Sequence, residues 1–230
     1  MDDFSIQSIE SGEILDSRGD PTVAATVTLT SGAKAAAAVP SGASVGKFEA
    51  HELRDNNPER YNGKGVLKAC SNINVMIEEA LIGENAEDQE RIDRIMIRLD
   101  GTENKSKLGA NAILAVSLAV ARAVSVARAI PLYESLQKTF KLDNAKKIPT
   151  PVMNIINGGK HGDTNIKLQE FQIIPVKGKS ISKKIEIGSE IFHQLGKELK
   201  KHGLDIDVGN EGGYSPDVKS IDDLFHMLGS

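Results

Sequence analysis

The chain has 230 residues, 40% of them hydrophobic and 26% charged, enough for one large or two ordinary soluble domains. A formal net charge of -4 with no dense basic stripe excludes a typical nucleic-acid surface, and the single cysteine, Cys70, excludes an internal disulfide framework. The acidic, polar start MDDFSIQSIESGE carries no signal or transit pattern, so a cytoplasmic protein is expected, with neither nucleic acid nor membrane as partner.

Ile6 to Leu15 reads as a first strand. Val23, Ala25, Val27 and Leu29 alternate with Thr and Ala as a second, half-buried strand, and Ser31-Gly32 turns the chain into a third run, Ala33 to Val39. These predict a small antiparallel sheet. Next, PSGASVGKFEA comes close to a phosphate-cradling loop. That loop needs Gly, four residues, Gly-Lys and then Ser or Thr. Here the first position holds Ser41 and the last Phe48, so both ends fail and a hinge-like loop with two hydroxyls, Ser41 and Ser44, remains.

Helical spacing follows. Val66, Ala69, Ile73, Met76 or Ile77 and Ala80 share one face, as do Ile92, Ile95, Met96 and Leu99. Leu108 to Ala129 is the most apolar stretch, but Asn111, Ser117, Arg122, Ser125 and Arg128 interrupt it, which predicts a buried helix of a soluble domain rather than a membrane span. Strands followed by helices indicate an α+β domain over residues 1–140, and the polar, basic Lys141 to Lys147 reads as a linker before Ile148-Pro149-Thr150-Pro151.

Residues 141–230 change pattern. Val152 to Ile156 and Phe171 to Val176 are short apolar runs, Ile181 to Leu199 is an amphipathic helix closed by Gly203, and Asp205 to Val208 starts a further strand. This predicts the opening of a β/α barrel, with polar residues gathered where loops leave the carboxyl ends of strands. Each unit takes about 30 residues and a full barrel about 250, so the 90 residues here make an incomplete barrel. Three polar segments stand at strand ends: Asn157-Gly158-Gly159-Lys160-His161, Gln169-Glu170 and Gly209-Asn210-Glu211-Gly212-Gly213. Taken singly, Glu170 reads equally as a solvated edge charge and His161 as a loop histidine bonded to backbone.

Taken together and in order, these segments resemble enolase, the phosphopyruvate hydratase family. The resemblance is carried by ILDSRGDPTV (14–23), VPSGAS (39–44), ELRD (52–55) and NKSKLGANAIL (104–114), then by Asn157-Gly158-Gly159, His161, Gln169-Glu170-Phe171 and Glu211-Gly212-Gly213. It implies a Mg²⁺-dependent lyase, usually a homodimer, that eliminates water from 2-phospho-D-glycerate to give phosphoenolpyruvate. By resemblance Glu211 is the acid that protonates the leaving hydroxide, Glu170 and Gln169 contact the substrate beside it, and His161 also touches the substrate. Ser41 to Phe48 corresponds to the family's mobile lid, with Ser44 at a Mg²⁺ ligand position.

The chain departs from the family pattern at Val45 (usually Thr), Asn210 (usually Asp), Ala24 (usually Glu) and Ala36 (usually Arg), the last two weakening the expected pairing across a subunit interface. The family's three carboxylate Mg²⁺ ligands and its lysine base are expected beyond Ser230. Two readings follow: an enolase completed by a carboxyl-terminal half, or a non-catalytic enolase-like binding or dimerising module.

Overall fold

The computed structural model describes residues 3–42, 45–142, 147–159, 161–209 and 211–229. The chain divides into two compact units, Met1–Ala145 and Lys146–Ser230.

The first unit is built on β1 (Ile6–Leu15), β2 (Pro21–Leu29) and β3 (Lys34–Ala38), antiparallel and in that spatial order. Along β2 the alternation is strict: Val23, Ala25, Val27 and Leu29 are fully buried, while Ala24, Thr26 and Thr28 face the other way. Ala24 and Ala36 therefore share the face of the sheet that points away from the core, consistent with Thr26 pairing with Ala36 and Ala24 with Ala38. Across the core face lies α4 (Ala110–Ala127), whose Ala112, Ala115, Ala119 and Ala123 are buried and let the helix sit close on the strands. By length and composition α4 could cross a bilayer, but here its buried side is the centre of a core that also takes in Ile9, Ile73, Ile77, Ile92 and Met96.

The free edge of β1 is closed by side chains from a helical stretch. Helix α1 (Leu67–Asn72) runs through a π turn, Ile73–Ile77, into α2 (Glu78–Leu81), where a single continuous helix was expected. From this stretch Asn74 Oδ1 accepts the Ser11 N–H at 2.8 Å and Glu78 Oε1 accepts the Ile9 N–H at 3.2 Å, satisfying edge groups that would otherwise be open to pairing. Helix α3 (Gln89–Asp100) starts on the Asp88 cap, which accepts from the Arg91 N–H, and stops at left-handed Gly101. Helix α5 (Leu132–Thr139) completes the unit.

In the second unit β4 (Met153–Asn157) and β5 (Glu170–Ile173) pair antiparallel, so the region opens with a hairpin and not with parallel strands. The expected strand at Asp205 to Val208 is absent as an element: only isolated bridges form, Val208 with Tyr214 and Ile156 with Tyr214. Asp205, Asp207 and Val208 are exposed, while Ile206 is half-buried against the core of this unit. The barrel is not closed.

Helix α6 (Ile181–Lys201), capped by Ser180, packs its Leu195 and Leu199 with Ile155, Ile156, Phe171, Tyr214 and Leu224 of α7 (Ile221–Gly229). Phe192 stacks on Tyr214 with ring centres 4.3 Å apart. Gly188 and Gly196, two turns apart, make this approach feasible: a Cβ on either would collide with Met153 or Tyr214 respectively.

Candidate active site

Strand β4 ends at Asn157, which is fully buried and in register with Glu170 at the start of β5. The antiparallel pairing thus puts the beginning of β5 beside the end of β4, which is why Glu170 joins the loop after β4 although it does not follow a strand. Gly158 and Gly159 fold that loop back: their N–H groups donate to Gln169 O (2.9 Å) and Ile166 O (2.8 Å), and Gly159 holds φ at +56°. His161 follows, only 5% exposed.

The third segment is delivered by β4 as well. Asn157 N–H donates to Tyr214 O, Tyr214 N–H to Ile155 O, and Asn157 Oδ1 accepts the Gly213 N–H at 2.7 Å. Gly209 and Gly213 are bonded across a turn, with Gly212 at φ +82°, and Glu211 projects from it, 41% exposed at its side chain. Asn165 staples the two loops from behind, donating to Val218 O and accepting from the Val218 N–H, while its own N–H donates to Asp217.

The four residues singled out in the sequence come together. His161 Nδ1 lies 3.0 Å from Glu211 Oε2 and 3.5 Å from Glu170 Oε1, and Gln169 Nε2 lies 2.7 Å from the other ring nitrogen. One imidazole thus bridges an amide and two carboxylates that come from two other segments of the chain. Ser44 and Asn210 fall outside the described residues. Ser41 and Gly42, with Val45 to Phe48, belong to no helix or strand, and Val45 and Phe48 are almost wholly exposed. Ser41 is held hard: Arg18 donates to its carbonyl at 2.7 Å and Arg54 to its hydroxyl at 3.1 Å, while that hydroxyl donates to Glu52.

Two positioning residues, Gln172 and Asn165, escaped the sequence reading, and Asn157 was singled out there only as part of a motif, without a role. Gln172 donates to Glu170 Oε2 at 2.6 Å, from two residues along the same strand face. That i, i+2 relation to Glu170 was a usable signal. Asn165 had none, and the position of Asn157 in its motif did not reveal its partner, because the partners of both lie more than fifty positions away.

A cleft of about 560 Å³ opens beside His161, lined by Asp163, Asp205, Asp207, Gly209 and Ser215 among others. Its described lining holds three carboxylates and neither lysine nor arginine, so an anion enters it only with a compensating cation. Residues 6–136 match the family model described as enolase, N-terminal domain, and residues 145–229 match enolase, C-terminal TIM barrel domain. The chain belongs to the enolase family. In this enolase family member the hairpin and the glycine-flanked turn supply the clustered acids.

Proposed function

We propose that this chain carries the acid side of an enolase-type elimination, in which 2-phospho-D-glycerate loses water to give phosphoenolpyruvate. The observation that supports it is the convergence of Glu211, Glu170, His161 and Gln169 on one imidazole. The reaction removes a proton from the carbon beside the carboxylate and expels hydroxide from the next carbon. That hydroxide needs a proton donor within hydrogen-bond reach. Glu211 stands on an exposed turn and is free to meet it. Glu211 is the donor whose proton joins the hydroxide, which departs as water. Glu170, steadied by Gln172, and Gln169 contact the substrate, and His161 orients both acids.

Mg²⁺ is the cation the resemblance implies, and when bound it would spread the negative charge of the carbanion. The donors gathered here do not fit it: magnesium demands near-octahedral oxygen ligands, whereas the one such group among the described residues is an imidazole with two carboxylates. The resemblance gives Ser44 as one Mg²⁺ ligand and puts the carboxylate ligands and the base on other barrel residues. The homodimer and cytoplasmic setting implied by the resemblance belong to the same reading.

The test mixes the chain with the carboxyl-terminal part of an enolase barrel and follows phosphoenolpyruvate absorbance. Mg²⁺-dependent turnover is expected from the mixture alone and is lost with Glu211→Gln. Turnover by the unmixed chain overturns the need for a second part. A stable complex without turnover favours the binding-module reading instead.

A further inference from the structure

We propose that His161, Glu170 and Glu211 form a binding site for a divalent transition cation of the zinc class, distinct in chemistry from the family's magnesium. The inference rests on side-chain geometry and stands whether or not the chain takes part in dehydration.

The donor atoms are close to metal-site spacing. Nitrogen and oxygen ligands sit about 2.0 to 2.2 Å from zinc, which separates neighbouring ligands in a tetrahedron by roughly 3.3 to 3.5 Å. Here Nδ1 of His161 is 3.5 Å from one carboxylate oxygen and 3.0 Å from the other, and all three donors lie within 4.8 Å of one another. An ion needs the carboxylates to move outward by a few tenths of an ångström. Both side chains are partly exposed and have that freedom, whereas the buried histidine is the fixed point. The fourth position is left to water, the open arrangement of a non-structural zinc site.

Donor type selects the cation. Imidazole suits zinc, cobalt, nickel and copper, while magnesium prefers hard oxygen and keeps its waters. A second layer supports the ligands as zinc sites require. Gln172 donates to Glu170 through the oxygen that does not face His161. Gln169 meets the far ring nitrogen at 2.7 Å. When Nδ1 binds a metal the ring carries its proton on Nε2, and the Gln169 amide accepts it after a half-turn that exchanges its nitrogen and oxygen in place. The acidic cleft beside His161 adds a field that concentrates cations at this point.

Occupancy would engage both carboxylates that the elimination uses, so zinc and acid catalysis exclude each other. The experiment needs no activity. The chelator-treated chain is titrated with Zn²⁺ by calorimetry in excess Mg²⁺, and Co²⁺ is then used as a spectroscopic probe. One Zn²⁺ per chain is expected, not displaced by Mg²⁺, and Co²⁺ should give the strong visible bands of a site with fewer than six ligands. Glu170→Gln with Glu211→Gln should abolish it, and Gln169→Ala should weaken it about tenfold or more. His161→Phe should also abolish it. If that variant fails to fold, the double glutamine variant, which keeps the buried imidazole, still decides. Zn²⁺ binding unchanged by the double substitution, equal competition by Mg²⁺, or no binding at all overturns the proposal. None of these outcomes bears on the reconstitution test of the dehydration reading.

Discussion

Asn157 Oδ1 accepts the Gly213 N–H at 2.7 Å, across 56 positions of sequence and inside the protein. That bond fixes the turn bearing Glu211 to the end of the strand that leads to His161. Asn157→Ala would leave a buried N–H unpaired, at a cost of about 1 to 3 kcal/mol. Thermal unfolding should register the loss. Hydrogen exchange should show the Gly213 amide opening faster while amides of α4 stay protected, and an unchanged Gly213 rate would contradict the assignment.

Gly209→Ala should be worse. A Cβ there meets His161 O, Asn157 Cβ and Ser215 Oγ, and the first belongs to the backbone of the loop it must stay beside. No rotamer relieves such a clash, so overpacking of about 1 to 3 kcal/mol is expected together with displacement of the turn. Zn²⁺ affinity should fall with stability. A variant as stable as the parent would show that the loop relaxes freely.

Much of the first unit was legible because its signals are local. The two-residue period of β2 and the alanine-studded run of α4 each name their buried face without reference to anything distant. The cluster was legible only as a resemblance, since His161, Glu170 and Glu211 follow no common period. What stayed hidden was the direction of β5 and the fate of residues 205–208. An apolar run of four to six residues does not announce which neighbour it pairs with, so nothing local revealed that Glu170 reaches the cluster from the start of an antiparallel strand.

Acid should unfold the first unit through identifiable carboxylates. Burial alone would raise the Asp100 carboxyl, but N–H groups of Leu108, Thr102 and Lys107 and the Thr102 hydroxyl hold it below its usual range. The Arg60 guanidinium does the same for Glu13 against the raising effect of burial, helped by the Val66 N–H. Both folded-state values are depressed, so the unfolded chain binds protons first. Their stabilisation is complete above the unfolded values of about 4 and is lost as pH falls through the lower folded ones. Asp100→Asn should lower the melting temperature at neutral pH and flatten its decline in acid. An equally steep decline would place the acid sensitivity elsewhere.

Arg54 is the residue on which the base of the lid-like segment depends. Its guanidinium donates to the carbonyls of Pro21 and Lys64, to the Ser41 hydroxyl and to Glu52, so it joins the start of β2 to the loop on both sides of residues 42–51. Lysine keeps the charge but offers a single nitrogen that cannot reach four separated acceptors. Arg54→Lys should therefore cost about 1 kcal/mol, because part-buried acceptors that lose their donor can still be met in part by water, and should loosen Ser41. Arg18 still holds the Ser41 carbonyl, so exchange should rise at residues 52–55 more than in β1. If Arg54→Lys leaves both melting temperature and exchange unchanged, the four bonds are worth no more than solvent contacts.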